Sequence, residues 1–171
     1  MTKPKRSHVT RLLDSRHIPY QTYTYATDIR SAEDVAHVLG IPPHEVYKTL
    51  VVLPLQSKPL LVIIPGACTL DLKRLAQALG AKKLRMATQR EAEELTRLQV
   101  GGISALALLD RGFPVYVDQA AQALTAFVVS AGQRGLNVRL RVDDFMAVTQ
   151  AKFVDASIDH DAACYPPAKN R

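Results

Sequence analysis

The chain has no tryptophan and only two cysteines among 171 residues. Cys68 and Cys164 stand far apart with no CxxC spacing, so neither a zinc site nor a disulfide framework is expected. Cys68 follows Pro65-Gly-Ala with no histidine near it in sequence, and reads as a small packed residue rather than a nucleophile. The longest apolar runs, residues 50–55 and 60–65, are strand-sized and too short to span a membrane. The basic start, Met1-Thr-Lys-Pro-Lys-Arg-Ser-His8, is followed by no apolar segment or cleavage site, so a cytoplasmic protein is expected. His8, His17, His37, His44 and His160 show no metal-ligand spacing, and His37 has no partner four residues on, which excludes HExxH chemistry. There is no Walker loop, dinucleotide fingerprint or GxSxG elbow. A metal, a cofactor and an obvious protein nucleophile are all missing from the pattern.

What is present is an apolar fraction of 47%, enough for one domain with a full core at this length. Lys and Arg outnumber Asp and Glu by 22 to 16, a net charge of +6. The excess favours a polyanion such as RNA without requiring one. Residues 1–6 read as a flexible basic arm, residues 7–158 as the domain, and residues 159–171, with Pro166-Pro167, as a loose tail.

Ser7 is placed to cap a helix with Val9, Leu12 and Leu13 on one face. Residues 20–25 read as a strand, and Ser31-Ala-Glu-Asp34 opens a helix that Gly40 ends. Residues 49–53 and 60–64 read as a strand pair. Asp71 or Thr69 opens a helix with Leu72, Leu75, Ala76 and Leu79 inward and Gly80 at its end. Residues 81–86 read as a short strand, and Thr88 with Glu91 marks another helix start. Residues 105–109, 115–117, 126–129 and 138–141 are read as strands, with Asp143 or Asp144 capping a last helix. The irregular alternation of strands and helices, without internal repeat, predicts a single α/β domain with a mixed sheet.

Three segments stand out chemically. Val46-Tyr-Lys-Thr-Leu-Val-Val52 puts Lys48 at the start of an apolar, β-branched run, where its ammonium can meet a phosphate or carboxylate, or simply be solvated. Gly101-Gly-Ile-Ser104 offers flexible backbone and a hydroxyl, either as an oxyanion-type pocket or as a plain tight turn. Ser130-Ala-Gly-Gln-Arg-Gly-Leu136 shares that ambiguity, with Arg134 as a phosphate contact or a solvated turn residue. Asp118 is a substrate-orienting carboxylate or a turn former.

Taken together the segments resemble the YbaK/EbsC family, free-standing relatives of the editing domain inserted in bacterial prolyl-tRNA synthetases. The resemblance runs from about Leu12 to Phe153. It is carried by Thr24-Tyr25, Val46-Tyr-Lys-Thr-Leu50, Leu70-Asp-Leu-Lys73, Leu79-Gly-Ala-Lys-Lys83, Met86-Ala87, Val100-Gly-Gly-Ile-Ser104, Asp118, and Ser130 with Gly132-Gln-Arg-Gly-Leu136. It implies a strongly curved mixed sheet surrounded by helices, with a tRNA 3′ end in a pocket. Lys48 falls on the lysine taken to hold the terminal adenosine and its phosphate, and Tyr25 on a pocket tyrosine. Gly101, Gly102 and Ser104 match the loop around the aminoacyl group, and Ser130, Gly132 and Asp118 match further pocket positions.

Within the family the pattern is most similar to the branch that removes cysteine from mischarged tRNA(Pro). There the cysteinyl thiol is thought to attack its own ester, and the pocket only orients and stabilises charge. Three departures bear on selectivity. Ala105 and Ala107 replace a proline and a glycine of the pattern GGISPLG, and Arg97 replaces the glycine of an upstream Thr-Gly, where a charged side chain is expected to change what the pocket admits. The implied activity is a trans-editing deacylase for cysteinyl-tRNA(Pro), with tRNA(Cys) as a further substrate and prolyl-tRNA synthetase as partner. The alternatives are an editor for another small amino acid such as alanine, and a non-catalytic binder of a tRNA end or synthetase.

Overall fold

The computed structural model describes residues 6–160. The first five residues of the expected arm and the tail from residue 161 lie outside the described residues. The chain runs α1 (His8–Ser15), β1 (Tyr20–Thr24), α2 (Ala32–Leu39), β2 (Tyr47–Pro54), β3 (Leu60–Pro65), β4 (Thr69–Leu70), α3 (Leu72–Leu79), β5 (Leu84–Met86), α4 (Gln89–Thr96), β6 (Val115–Asp118), β7 (Ala126–Gln133), β8 (Leu136–Arg141), α5 (Val142–Thr149), β9 (Lys152–Val154) and β10 (Ser157–Ile158). Three 3-10 segments, Pro43–Glu45, Ala105–Arg111 and Gln119–Ala123, complete it.

The helix ends follow the local chemistry read from the sequence. Ser7 forms a reciprocal capping box with Thr10, and Thr88 forms another with Glu91, each satisfying backbone donors that the first helical turn leaves open. Asp71 caps α3 through Lys73 and Arg74 N–H groups, and Gly40 and Gly80 take the left-handed conformation that ends α2 and α3. No described helix is long and apolar enough to cross a membrane.

Five strands form a mixed sheet in the order β5-β2-β3-β6-β9, antiparallel on the β5-β2-β3 side and parallel from β3 to β9. All six residues of β3 are buried, because both faces of this central strand are covered. Tyr47, Val51, Leu61 and Ile63 point to the main core with Val117, Phe127 and Phe145. Val52, Leu60, Val62 and Ile64 point the other way, onto Leu75 of α3. This is the period-two alternation of a strand expressed on two apolar layers. A second, antiparallel sheet, β1-β8-β7, touches the first through an isolated parallel bridge between Val46 and Val128.

Three expectations need correction. Residues 105–109 are not a strand but part of the 3-10 segment Ala105–Arg111. Their Ala-Leu alternation mimics a strand, yet both residues favour helical backbone. The last helix begins at Val142 behind Arg141, so Asp143 and Asp144 lie in its first turn and do not cap it. Cys68 is buried and disulfide-bonded, against the expectation of no disulfide; Cys164 lies outside the described residues.

Asp118, read as a substrate-orienting carboxylate or a turn former, is only 1% exposed and serves the backbone. One carboxylate oxygen accepts from Ala120 N–H at 2.9 Å, and the other from Ala156 and Ser157 N–H at 3.2 and 3.0 Å. It thereby ties the segment between β9 and β10 to the end of β6. Asp118→Ala leaves three buried donors without this acceptor and is expected to cost about 2–4 kcal/mol in urea melts. Arg97 sits at φ 60 as the last cap of α4. Arg97→Gly relieves that left-handed strain and is expected to raise stability by about 0.5–1 kcal/mol, seen as a melting temperature higher by about 1–4 °C. An unchanged melting temperature would show that α4 already accommodates the arginine at no cost.

Candidate functional site

A notch along β2 makes the site. β5 pairs with β2 only at Val52, Leu53 and Pro54, with Ala87 N–H donating to Val51 C=O at 3.0 Å just beyond. At the other end the second sheet makes a single backbone bridge, at Val46 just before β2. The β2 edge at residues 47–50 thus has no neighbouring strand among the described residues, and a cavity of 410 Å³ wraps it. Its walls come from Met86 and Ala87, from Glu33 of α2, from Ser130 and Asn137 of the β7-β8 pair, and from Val100 and Gly101.

Lys48 projects into this notch. On its face of β2, Val46 belongs to the apolar cluster beneath α2, while Leu50 and Val52 belong to the one beneath α3. Lys48 falls between the two clusters, half-buried, with no hydrogen bond or salt bridge among the described residues. Burial pulls its pKa below the usual lysine value, and the charge of Glu33 opposes that shift.

Tyr25 faces Lys48's cavity from the end of β1. Its hydroxyl donates to Asn137 Oδ1 at 3.0 Å, and its N–H donates to Gly135 C=O at 3.1 Å. Burial raises the phenol's pKa above its ordinary value. Gly135 turns the β7-β8 hairpin at φ 79, and a Cβ there would lie 2.8 Å from Tyr25 C=O. The hairpin can close on Tyr25 only because this residue has no side chain.

The glycine loop approaches from α4. Val100 N–H donates to Glu93 Oε1 at 3.0 Å, and Val100 C=O accepts from Arg134 Nε at 2.7 Å. Gly102 packs so closely on the hairpin that a Cβ would come within 2.8–2.9 Å of the Gln133 and Arg134 backbone. Ser130 Oγ accepts from Gly132 N–H at 3.4 Å.

Of the residues singled out in the sequence, Tyr25, Lys48, Gly101 and Ser130 line the cavity, while Gly102, Ser104, Asp118, Gly132 and Arg134 do not. Ser104 is 2% exposed and its hydroxyl has no hydrogen-bond partner among the described residues. Gly132 turns at φ 90 toward Ala107 and Val9, on another face. Arg97, Ala105 and Ala107 also lie outside the lining, so Arg97 does not reach the space whose contents it was expected to select. Sequence reading missed Glu33, Asn137 and Gly66. Asn137 shares the polar face of an alternating strand with Arg139 and Arg141, so nothing in the sequence marks it as buried. Gly66 lies where a side chain would strike Ala32 Cβ. No group of three or more His, Cys, Asp or Glu among the described residues could hold a metal ion.

Comparison with known proteins decides the family. Residues 26–148 match the model of the aminoacyl-tRNA editing domain. The chain belongs to that family. It is 35% identical over 153 residues to EbsC of Enterococcus faecalis, a proposed Cys-tRNA(Pro)/Cys-tRNA(Cys) deacylase, covering 88% of this chain and 93% of the relative. It is 29% identical over 137 residues to the proline–tRNA ligase of a Sulfurihydrogenibium species, covering 80% of this chain and 21% of the ligase. The same editing-domain fold is seen in the crystal structure of hypothetical protein APE2540, with a TM-score of 0.80, 24% identity, and 88% and 99% of the two chains covered. A candidate trans-editing enzyme for prolyl-tRNA synthetase shares it at a TM-score of 0.74 and 23% identity, with 90% and 99% covered. The expected α/β domain with a mixed sheet flanked by helices is what the editing domain has.

The lowered pKa of Lys48 generates a stability prediction. Between its folded pKa and the value of 10.5 taken for the unfolded chain, the unfolded chain binds more protons, so this group makes stability rise with pH. Lys48→Met is expected to keep or raise stability near neutral pH and to lose that rise, as measured by urea melts across the alkaline range. A clear drop in stability at neutral pH would mean that the ammonium makes a stabilising contact in the folded protein.

Proposed function

We propose that the protein is a trans-editing deacylase that removes cysteine from mischarged tRNA(Pro), and also from tRNA(Cys). The observation that carries the reading is Lys48, a half-buried cation without a salt bridge among the described residues, facing a cavity beside the Gly101 turn. A desolvated ammonium with no protein partner suits a phosphate that arrives with the substrate. A cavity of 410 Å³ is of the size that takes a nucleoside and a small acyl group. The identity with EbsC supports cysteine as the amino acid.

Among the described residues the lining contains neither histidine nor cysteine, so none of them supplies a Ser-His or Cys-His pair to attack the ester. The nucleophile in this reading is the substrate's own thiol, as its thiolate. Sulfur bonds to the carbonyl carbon, the carbonyl oxygen carries the negative charge, and the amides of the Gly101 turn are its proposed donors. Collapse breaks the bond to the ribose oxygen, which takes a proton from water and leaves as the tRNA 3′ end. The acyl group departs as a cyclic thioester that water later opens. Lys48 holds the terminal phosphate and Tyr25 the wall behind it. Partnership with prolyl-tRNA synthetase, whose homologues carry a related domain, supplies tRNA selectivity in the cytoplasm.

Single-turnover deacylation of cysteinyl-, seryl- and alanyl-tRNA tests this directly. Cysteine is expected to leave far faster than serine, because serine's hydroxyl yields almost no anion near neutral pH, whereas a thiol ionises readily. Equal rates for cysteine and serine would point to attack by water, preferential release of alanine to a different editor, and no release at all to a binder. Lys48→Ala is expected to lose about 2–5 kcal/mol of transition-state binding with the fold intact.

A further inference from the structure

Glu93 and Arg134 reach the same residue from two elements that are otherwise separate. Glu93 is the fifth residue of α4, and Arg134 stands at the tip of the β7-β8 hairpin. Between them stands Val100, whose N–H is taken by Glu93 at 3.0 Å and whose C=O is taken by Arg134 at 2.7 Å. Neither side chain lines the cavity, whereas Val100 and the following Gly101 do.

We propose that Glu93 and Arg134 are positioning residues, a two-sided clamp on Val100 that fixes the Gly101 turn against the reacting ester and so sets the rate of the chemical step. This rests on the deacylase reading above.

Three observations support the clamp. The Gly101-Gly102 pair has little stiffness of its own, and Gly101 is held at φ 94. The arginine stem lies alongside the turn, its Cγ 3.5 Å from where a Gly101 Cβ would stand. Glu93 is kept ionised, its pKa lowered chiefly by the Val100 N–H bond, with help from Gln89 and the charges of Arg134 and Arg30. Arg134 was a candidate phosphate contact in the sequence, but its Nε is committed to the loop. An oxyanion donor displaced by a fraction of an ångström loses much of its effect, while binding of the tRNA through Lys48 is untouched.

The test uses the full chain and two independent readings. Backbone amide exchange, followed by NMR, reports the clamp without reference to any reaction. In Glu93→Ala the amides of Val100 and Gly101 are expected to exchange about tenfold faster or more. Glu93→Gln, whose amide oxygen can still accept, is expected to recover part of the loss. Single-turnover deacylation of cysteinyl-tRNA is expected to fall about tenfold to a hundredfold in maximal rate in Glu93→Ala and Arg134→Ala, with half-saturating concentration nearly unchanged. The double variant is expected to fall well short of the product of the single losses, because both act on one residue.

Unchanged exchange in Glu93→Ala would overturn the clamp. So would a loss confined to the half-saturating concentration, which would make these residues tRNA contacts, or full rates with a mobilised loop. If the wild-type protein deacylates no cysteinyl-tRNA, the functional reading fails by itself, and amide exchange alone judges whether the clamp holds the loop.

Discussion

The site depends on a strand edge that lacks a neighbour over part of its length: β2 pairs with β3 along residues 47–52, but among the described residues its other edge is bare at residues 47–50. β2 is held at one end by the single bridge from Val46 to Val128 and at the other by β5 from Val52 onward. A bare strand edge is ordinarily a liability, because its amides and carbonyls invite pairing with another chain. Here the edge lies inside a cavity, with the glycine loop and α2 standing over it. The two sheets diverge around this gap as twisted sheets must when their strands meet at one point. What keeps the gap from collapsing is the apolar packing on the far side of β2. Tyr47 stacks edge-on against Phe127 with ring centres 5.0 Å apart, and Phe127 against Phe145 at 5.1 Å. Aromatic pairs of this geometry add specific orientation to their buried area, and they anchor β2 to β7 where no ladder of hydrogen bonds does.

Lys48 is placed by the same alternation that builds the core. A residue with even number on β2 must face the layer that holds Val46, Leu50 and Val52, and only at position 48 does that layer have no apolar partner. The ammonium is therefore partly buried without a salt bridge among the described residues, and burial lowers its pKa. A phosphate entering the notch would reverse that shift by favouring the charged form. Glu33 and Arg30 at the wall and Glu93 behind the loop make the surroundings mixed in sign, so the attraction for an anion is local to Lys48 and not a property of the whole face.

Helix boundaries were legible because caps are local: Asp71 with Gly80, and Thr88 with Glu91, act within one turn. β2 and β3 were legible from their β-branched runs. The strands β4, β9 and β10 were not, since each has only two or three residues and is held by partners far away in the chain. Asp118 shows why. Its acceptors' role is defined by Ala156 and Ser157, 38 and 39 residues on, and nothing near Asp118 in sequence announces them. Lys48, Gly101 and Ser130 were singled out by residue type and local pattern, and Tyr25 through the family resemblance; the four line one cavity. Gly132 and Arg134 belong to the same motif as Ser130 but turn away from the cavity, because the strand bulges between Ser130 and Gln133 and the alternation of faces is broken there. Glu93 could not have been read at all, as its partner is a backbone N–H.

The departures from the family pattern acquire a common physical meaning. Arg97, Ala105 and Ala107 flank the glycine loop without entering the cavity, so they cannot alter its contents by shape. They can alter how firmly the loop is held. Ser104 sits at φ −137, ψ 129, the extended geometry that a following proline requires of its predecessor. The loop here therefore follows a path that a proline at position 105 would also take, while lacking the restriction that proline would impose on the chain. Such a restriction is worth about 0.4–1 kcal/mol where the conformation is compatible. A loop without it leans harder on its other bonds: the two hydrogen bonds to Val100, the Gly102 N–H donated to Gln99 C=O at 2.8 Å, and the close seat of Gly102 on the hairpin.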